Sequence, residues 1–283
     1  MESNKELNKE QNKESNKEQN KEQNKELNKE LAEESLKDCC VYLAKIRGGE
    51  VARNEKSIAT VPIAGDFSWY NRTFLDKGFD GELQTPLVCF SDYNADDKMM
   101  ALIKDSGYVP MVSQAGMVLD LEKYVPMAEA EKASDVAAEG IGSEIGKSSG
   151  VVIERIGEAD IDEWSTCVCE AFKKPPENVF KGIGSDERLY IYACRKDGKI
   201  IGSTMLFVEN KNAGIHEVGM LDEFRGKGYA KLLLDAALVE GKRLGAEYAS
   251  LQASDLGRPL YERLGFEVVS KIETYIKPPK DIH

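Results

Sequence analysis

The chain has 283 residues, a formal net charge of −12 and a hydrophobic fraction of 41%. This length is sufficient for two domains of ordinary size. The excess of acidic side chains argues against binding to nucleic acid or to an anionic membrane surface, because both require clustered Lys and Arg. No apolar run approaches the roughly 20 residues that span a bilayer. We therefore expect a soluble cytoplasmic protein.

The cysteine pattern points to a reducing compartment. Six cysteines occur without a C-x-x-C pair, and only two histidines are present. This pattern predicts neither a zinc site nor a disulfide framework, so we expect no metal. Cys167 and Cys169 lie two residues apart on a predicted helix and face different directions, which indicates buried thiols without a chemical role.

The N-terminus is a low-complexity repeat. Residues 4–31 are seven tandem tetrapeptides, Asn-Lys-Glu-x, where x is Leu, Gln or Ser. Asn is a poor helix former, and no apolar face develops before Leu27 and Leu31. The pattern favours a disordered or marginally helical tail over residues 1–31. The alternative is a solvated single helix or a partner-binding tail.

A first α/β domain is predicted over residues 32–128. Apolar residues at helical spacing follow Leu31, and Gly48-Gly49 ends that helix. Strand-like runs cover 58–63, 86–90 and 115–121, and a helix begins near Asn94 or Asp96. Residues 129–150 carry small side chains without periodicity and are typical of a linker.

A second domain is predicted over residues 151–279, and its pattern is clearer. Strands are expected at 151–156, 189–194, 200–208, 215–220, 248–253 and 266–276, with Asp197-Gly198 marking a hairpin turn. Helices are expected at 159–172, 177–182, 229–244 and 258–264. The order of these elements predicts a mixed sheet with helices on its faces.

The most informative stretch is Arg225-Gly226-Lys227-Gly228-Tyr229-Ala230, between the fourth predicted strand of this domain and its longest helix. A turn with two glycines that opens a helix presents unpaired backbone N–H groups and the positive end of the helix dipole. These features favour an anion such as phosphate. Taken alone, such a turn is equally compatible with a tight connection that binds nothing.

A second motif, Leu260-Tyr261-Glu262-Arg263-Leu264-Gly265-Phe266, follows at the separation seen in one superfamily. Residues 151–277 resemble the GNAT superfamily of acyl-CoA N-acyltransferases. The resemblance implies that the sheet splays between the strand before the first motif and the strand after the long helix. It further implies that pantetheine enters this opening beside the backbone of Val218 and Met220. It also implies that the amides of residues 226–230 hold the pyrophosphate, with charge-assisted contacts from Arg225 and Lys227.

The same resemblance implies that Tyr261 is the general acid for the leaving thiolate, although as an isolated residue it also suits a core position. The base is open between His216 and Glu217, with a water chain as a third possibility. Regular strand alternation would place His216 on the face of Val218 and Met220, with Glu217 pointing away. A β-bulge would reverse that argument.

The first domain contains a partial copy of these features. Residues 102–108 align with 260–266, and Ile103 takes the place of Tyr261, while no R-x-x-G-x-G/A motif occurs before residue 150. We interpret this half as a degenerate GNAT-like domain. The run Trp69-Tyr70-Asn71-Arg72 resembles the N-terminal domain of two-domain members. We expect it to cover the acceptor side of the second domain or to be purely structural.

These observations predict two GNAT-like mixed-sheet domains in tandem and an N-acetyltransferase. It would move an acetyl group from acetyl-CoA to a small-molecule or peptide amine by direct attack. The acidic composition mildly favours a cationic acceptor. The alternatives are a non-catalytic acyl-CoA-binding regulatory module and a protein acetyltransferase. The sequence is compatible with a monomer, because the internal copy can replace a dimer partner.

Overall fold

The computed structural model describes residues 2–61, 69–127, 150–175 and 180–278, with side chains from residue 23 onward. The described helices are α1 Glu2–Ile46, α2 Asp97–Asp105, α3 Ile161–Phe172, α4 Tyr229–Arg243 and α5 Arg258–Arg263. The described strands are β1 Glu50–Asn54, β2 Ser57–Val61, β3 Arg72–Leu75, β4 Leu87–Ser91, β5 Val109–Asp120, β6 Val151–Arg155, β7 Leu189–Lys196, β8 Lys199–Glu209, β9 Asn212–Met220, β10 Tyr248–Ala253 and β11 Glu267–Ile276. The fold is therefore mixed α/β, as predicted.

All these strands belong to one sheet, in the order β1-β2-β3-β4-β11-β5-β10-β9-β8-β7-β6. Strand β5 of the N-terminal half lies between β10 and β11 of the C-terminal half. Conversely, β11 lies between β4 and β5. Each half thus places a strand inside the sheet of the other. The prediction of two separate sheets was wrong, because strand pairing across the halves is not encoded in local periodicity.

The exchanged strands are the longest antiparallel partners at the junction. β5 pairs with β10 from Ala115 to Asp120 and with β11 along most of its length. At the crossing point a Cβ on Gly116 would lie 2.3 Å from Ser270 Oγ and 3.1 Å from Ala32 Cβ. Only a residue without a side chain leaves room for β11 and α1 to approach this closely.

Helix α1 lies across this junction on one face of the sheet. Leu36, Cys39, Cys40 and Leu43 are buried on its inner side. Its main chain is also bound to the sheet, since Gln252 Nε2 donates to Ala32 O at 2.6 Å. The repeat at residues 4–31 lies within this helix.

Helices α4 and α5 cover the opposite face. A Cβ on Gly214 would contact Ser35 of α1, whereas the next residue, Ile215, lies in a cluster with Leu234 of α4 and Tyr261 of α5. This alternation assigns α1 to one side of β9 and α4 with α5 to the other. The sheet is therefore the middle of three layers.

Most predicted elements are present with end shifts of a few residues. The hairpin turn at Asp197-Gly198 has the positive φ angles that its sequence predicts, 49° and 82°. Strands β1 and β3 were missed, and β5 begins at Val109 rather than at residue 115. The predicted linker lies almost wholly outside the described residues, and the predicted helix at 177–182 lies outside them in its first three residues. The domain boundaries therefore stay a prediction.

Candidate active site

A split in the sheet opens between β9 and β10. The two strands pair in parallel at Asn212, Ala213 and Gly214 of β9, opposite Tyr248–Ser250 of β10. Within the described segment 180–278 they form no further ladder pairs, although β9 runs to Met220 and β10 to Ala253. The other edge of β9 remains paired with β8. Main-chain groups of β9 beyond residue 214 therefore face an opening, which confirms the predicted splay.

A glycine turn lies at the end of this split. Gly226 and Gly228 have φ angles of +75° and +83°, in the left-handed region that favours glycine. Helix α4 begins at Tyr229, and Gly228 at its N-cap position provides no side-chain cap. A Cβ on Gly226 would have nothing within 4 Å. The first N–H groups of α4 are therefore directed to an open surface where an anion can approach the main chain.

Only part of the motif is available for a ligand through its side chains. The Tyr229 ring is buried in the core, so its contribution to an anion site is its main-chain N–H, and Ala230 packs against the same core. Lys227 is exposed, with its ammonium 5.1 Å from the centre of the Phe224 ring. It is the side chain of the turn that can reach an incoming phosphate.

Arg225 is a brace rather than an open cation. Its Nε donates to Met220 O at 3.1 Å, and its Nη2 donates to Ala171 O at 2.8 Å. Its Nη1 lies 3.0 Å from Asp222 Oδ1. A contact between Arg225 and phosphate would require some of these bonds to break. The structure thus assigns Arg225 to fixing the end of β9 against α3, which the motif alone did not indicate.

Tyr261 lies on α5, on the α4 side of the split. It is buried, its ring meets Phe266 edge-on at 6.0 Å, and its cluster includes Leu251 of β10 with Val218 of β9 packed against it. Burial raises the pKa of Tyr261, so the hydroxyl stays protonated at neutral pH. Tyr261 therefore belongs to a cluster on the α4 side of the sheet that also contains residues of both strands of the split.

A β-bulge changes the expected directions on β9. Ser203 pairs with Gly219 and Met205 pairs with His216, so β9 has one residue more than β8 in this interval. Glu217 has a φ of +52°, rare for a residue with a side chain. Val218 consequently faces the α4 side, whereas His216 and Glu217 face the α1 and α3 side. The strand therefore follows the second of the two stated alternatives, in which a β-bulge replaces regular alternation.

The two candidate bases have different surroundings. His216 is 6% exposed, and burial lowers its pKa to about 4. Its Nε2 has no hydrogen-bond partner among the described residues. The Glu217 carboxylate accepts a hydrogen bond from Tyr70 and forms an ion pair with Lys174. Tyr70 was noted in the sequence only for its resemblance to other N-terminal domains, and no spacing rule links it to Glu217.

All six cysteines are buried, including Cys167 and Cys169, for which burial was predicted. Burial raises the pKa of Cys167 to about 12, which leaves an unreactive thiol. Across the described ranges, no group of His, Cys, Asp or Glu has the arrangement of a metal site. Among the helices described, none is long and apolar enough to cross a membrane.

The comparisons with known proteins agree with this geometry. Residues 154–266 match the model of the acetyltransferase (GNAT) family. The uncharacterized N-acetyltransferase CgeE of Bacillus subtilis (strain 168) is 38% identical over 78 residues, which are 26% of this chain and 30% of that protein. The match thus spans less than a third of this curated relative.

Two solved structures share the fold over most of the chain. A GCN5-related N-acetyltransferase from Kribbella flavida has a TM-score of 0.57 at 12% identity, covering 84% of this chain and 96% of its own. A functionally unknown conserved protein from Staphylococcus epidermidis has a TM-score of 0.51 at 14% identity, covering 80% and 92%. Residues 154–266 are therefore similar to the acetyltransferase (GNAT) family, and the fold around them recurs in solved proteins that this chain covers almost completely.

Proposed function

We propose that the protein is a GNAT-type N-acetyltransferase that uses acetyl-CoA to acetylate an amine. The observation that carries this proposal is the split between β9 and β10, which leads directly to the glycine turn at the N-terminus of α4. A pantetheine arm is an extended chain with amide groups, and the unpaired edge of β9 offers it main-chain partners. The diphosphate then meets the N–H groups of residues 226–230.

The residues present fit this co-substrate. Val218 and Met220 lie on the part of β9 that β10 leaves unpaired, and the two glycines leave the main chain open to a diphosphate. Lys227 adds a charge-assisted contact. The N-terminal half has no equivalent turn in its sequence. We therefore assign one acetyl-CoA site to the chain, in its C-terminal half, and interpret the N-terminal half as a degenerate GNAT-like copy.

Bound acetyl-CoA supplies a thioester whose carbonyl carbon is attacked by the amine nitrogen as the C–S bond breaks. Glu217 accepts the proton that the amine loses, directly or through a water molecule. Tyr261 donates its hydroxyl proton to the departing thiolate. We favour Glu217 over His216 as the base, because the carboxylate is oriented by Tyr70 and Lys174, whereas Nε2 of the buried imidazole has no hydrogen-bond partner among the described residues.

The acceptor is an amine of a small molecule or a peptide, and we place the reaction in the cytoplasm. The cysteine pattern of the sequence, without a C-x-x-C pair, supports this compartment. A monomer would suffice, because the second half already supplies the strand that completes the sheet.

The test is release of free thiol from acetyl-CoA across a broad panel of small amines and peptides, with acetyl-CoA binding measured in parallel. We expect turnover with at least one acceptor. We expect Tyr261→Phe to lower kcat about 100-fold while binding is retained, which is the usual size of a general-acid contribution. Tyr124→Phe is the matched control, because Tyr124 also donates a buried hydroxyl but to Asp235, away from the split.

The outcomes separate the alternatives. Binding of acetyl-CoA without thiol release from any acceptor would contradict the enzyme and favour a non-catalytic acyl-CoA-binding module. Turnover restricted to peptides would identify a protein acetyltransferase. Full activity in Tyr261→Phe would remove Tyr261 from the mechanism.

A further inference from the structure

The carboxylate of Glu217 lies where the two halves of the protein meet. The Tyr70 hydroxyl of the N-terminal half donates to Glu217 Oε1 at 2.6 Å. Lys174, which follows α3 in the C-terminal half, places its Nζ 3.5 Å from Oε2. The side chains of Glu217 and Lys174 are 7% and 18% exposed. One oxygen of the carboxylate is thus held by each half, in a site largely removed from water.

Tyr70 is itself held in a fixed position. Its ring is buried and meets Phe180 edge-on at 5.9 Å. Its carbonyl accepts a hydrogen bond from Thr60 Oγ1 at 2.8 Å. Two residues later, the guanidinium of Arg72 lies 3.9 Å from the centre of the Trp69 ring, and its Nε donates to Trp69 O. The segment that carries Tyr70 is therefore anchored on both sides.

The hydroxyl of Tyr70 is a reliable donor. Burial and the neighbouring Glu217 carboxylate both raise the pKa of Tyr70 well above its usual range. The proton therefore stays on the phenol, and the hydrogen bond runs from Tyr70 to Glu217. A hydroxyl that donates to a carboxylate stabilises the ionised form of the carboxyl group.

The main chain of Glu217 is fixed as well. Ser203 Oγ donates to Glu217 O at 2.8 Å from β8, and Thr204 Oγ1 contacts His216 O at 3.4 Å. The positive φ of Glu217 costs about 1–3 kcal/mol in a residue with a side chain, and it persists only where surrounding contacts enforce it. These main-chain contacts therefore fix the direction in which the Glu217 carboxylate leaves the bulge.

We infer that Tyr70 is a positioning residue for Glu217, so that the acceptor side of the active site is built by both halves of the chain. Lys174 acts with Tyr70 by holding the second carboxylate oxygen. This inference rests on the proposed function, in which Glu217 receives the amine proton. It assigns the N-terminal half a role in the chemistry rather than only in covering the sheet.

Apart from Lys174, the titratable groups that face Glu217 from α1 and β9 are neutral at pH 7. The thiols of Cys39 and Cys40 approach it from α1, and burial raises the pKa of both. His216 precedes it on β9, and burial keeps that imidazole neutral above pH 4 or so. From α3, Lys174 supplies a positive charge. Removing the Tyr70 hydroxyl therefore takes one hydrogen-bond donor away from the Glu217 carboxylate.

The test uses the full chain and the best acceptor from the amine panel. In Tyr70→Phe we expect the acidic limb of the kcat/KM profile to move upward by about one pH unit, the scale of a hydrogen bond to a charged group. The dissociation constant for acetyl-CoA should not change, since Tyr70 lies on the opposite side of the sheet from α4. Lys174→Met should move the limb in the same direction. Tyr124→Phe, the matched loss of a Tyr-to-carboxylate bond, should leave the limb in place.

A second measurement does not depend on activity. The free energy of unfolding is measured against pH for the wild type, Tyr70→Phe, Glu217→Gln and the double variant. The destabilisation by Tyr70→Phe should be smaller at acidic pH than at neutral pH, because a charged acceptor forms the stronger hydrogen bond. In the Glu217→Gln background the effect of Tyr70→Phe should be smaller and independent of pH.

The two measurements distinguish failure of the inference from failure of the proposed function. If the wild type turns over an amine but the limb stays in place in Tyr70→Phe, the positioning role is wrong and the enzyme stands. If no amine is acetylated, the proposed function fails. In that case an additive pair of substitutions at Tyr70 and Glu217 would overturn the positional coupling too.

Discussion

The two halves of the chain contain the same strand–helix–strand unit with different contents. In the N-terminal half β4, α2 and β5 form it, and in the C-terminal half β10, α5 and β11 do. Both helices end at a glycine with positive φ, Gly107 at +82° and Gly265 at +94°. In each, the N–H of the residue after this glycine, three residues past the helix end, donates to the carbonyl oxygen of the residue at the equivalent position, Ile103 or Tyr261. The backbone is thus repeated, whereas a side chain able to donate a proton, Tyr261, occurs at this position in only one of the two units.

The strands that precede these units show what a cofactor site requires. β3 pairs with β4 in parallel through Phe74 and ends one residue later, at Leu75. β9 pairs with β10 only through Gly214 and continues to Met220. The connection 76–86 contains no helix, whereas 221–247 contains α4. An open strand edge followed by a helix N-terminus occurs between β9 and β10, and neither occurs in the described connection between β3 and β4.

The largest expected effect comes from the equivalent positions Ile103 and Tyr261. Ile103 is fully buried in an apolar cluster. Ile103→Ala should lower the free energy of unfolding by about 3 kcal/mol, through lost burial and a cavity. Tyr261→Phe keeps the ring and should lower it by about 1 kcal/mol or less. Chemical denaturation of both variants is the measurement. An equal loss of stability at both positions would contradict the division between a packing role and a chemical one.

His216 predicts a pH dependence of stability confined to the C-terminal half. Its folded pKa is about 4, below the ordinary value of 6.5. The unfolded chain therefore binds a proton that the folded chain excludes as pH falls from about 6.5 to about 4, and folding should lose about 3 kcal/mol across that window.

Unfolding curves of the wild type and His216→Gln at pH 7.5, 5.5 and 4.5 provide the measurement. As the pH falls, the free energy of unfolding of the wild type should decrease relative to that of His216→Gln. Parallel pH profiles would show that the imidazole is hydrated rather than buried.

Gly226 and Gly107 are a matched pair of glycines. Both have positive φ, and a Cβ on either would have nothing within 4 Å. Alanine should therefore cost about 1–2 kcal/mol of backbone strain at each site. Gly226→Ala should in addition weaken acetyl-CoA binding about tenfold, because it shifts the N–H groups of the turn. Calorimetric titration of both variants with acetyl-CoA checks this, and equal affinity in the two would remove the turn from the cofactor site.

The smallest effect separates the two cations of the turn. Arg225→Met removes the donors to Met220 O and Ala171 O and should cost about 1 kcal/mol of stability. Lys227→Met should leave stability unchanged and weaken acetyl-CoA binding about threefold at low salt, the size of one exposed charge contact. Binding titrations at two ionic strengths and a denaturation series distinguish them. A salt-sensitive loss of affinity in Arg225→Met alone would reverse these roles.

The sequence was sufficient for the features that depend on local chemistry. Asp96 was expected near the start of α2, and its side chain accepts from Met99 N at the helix N-terminus. Asp197-Gly198 forms the expected hairpin turn, and the glycine turn opens α4 as its spacing predicts. In each case neighbouring residues contain the whole physical cause.

The features that the sequence did not provide depend on distant partners. The bulge at Glu217 inserts one residue relative to β8, and no composition rule marks it. The Tyr70–Glu217 contact joins residues separated by 147 positions. The motif suggested a phosphate contact for Arg225. It could not show the hydrogen bonds from Arg225 to Ala171 O and Met220 O, because these form only in the folded protein. The exchange of β5 and β11 between the halves also depends on distant partners, because the alternation of apolar residues along a strand does not specify which strand pairs with it.

The placement of β11 has a consequence for biosynthesis. Among the described strands it comes latest in sequence, yet it separates β4 from β5 near the middle of the sheet. Until the ribosome has added residues 267–276, β4 and β5 both lack β11, which is their shared neighbour in the native sheet. The N-terminal half therefore cannot complete its part of the sheet before the C-terminal half has been synthesised.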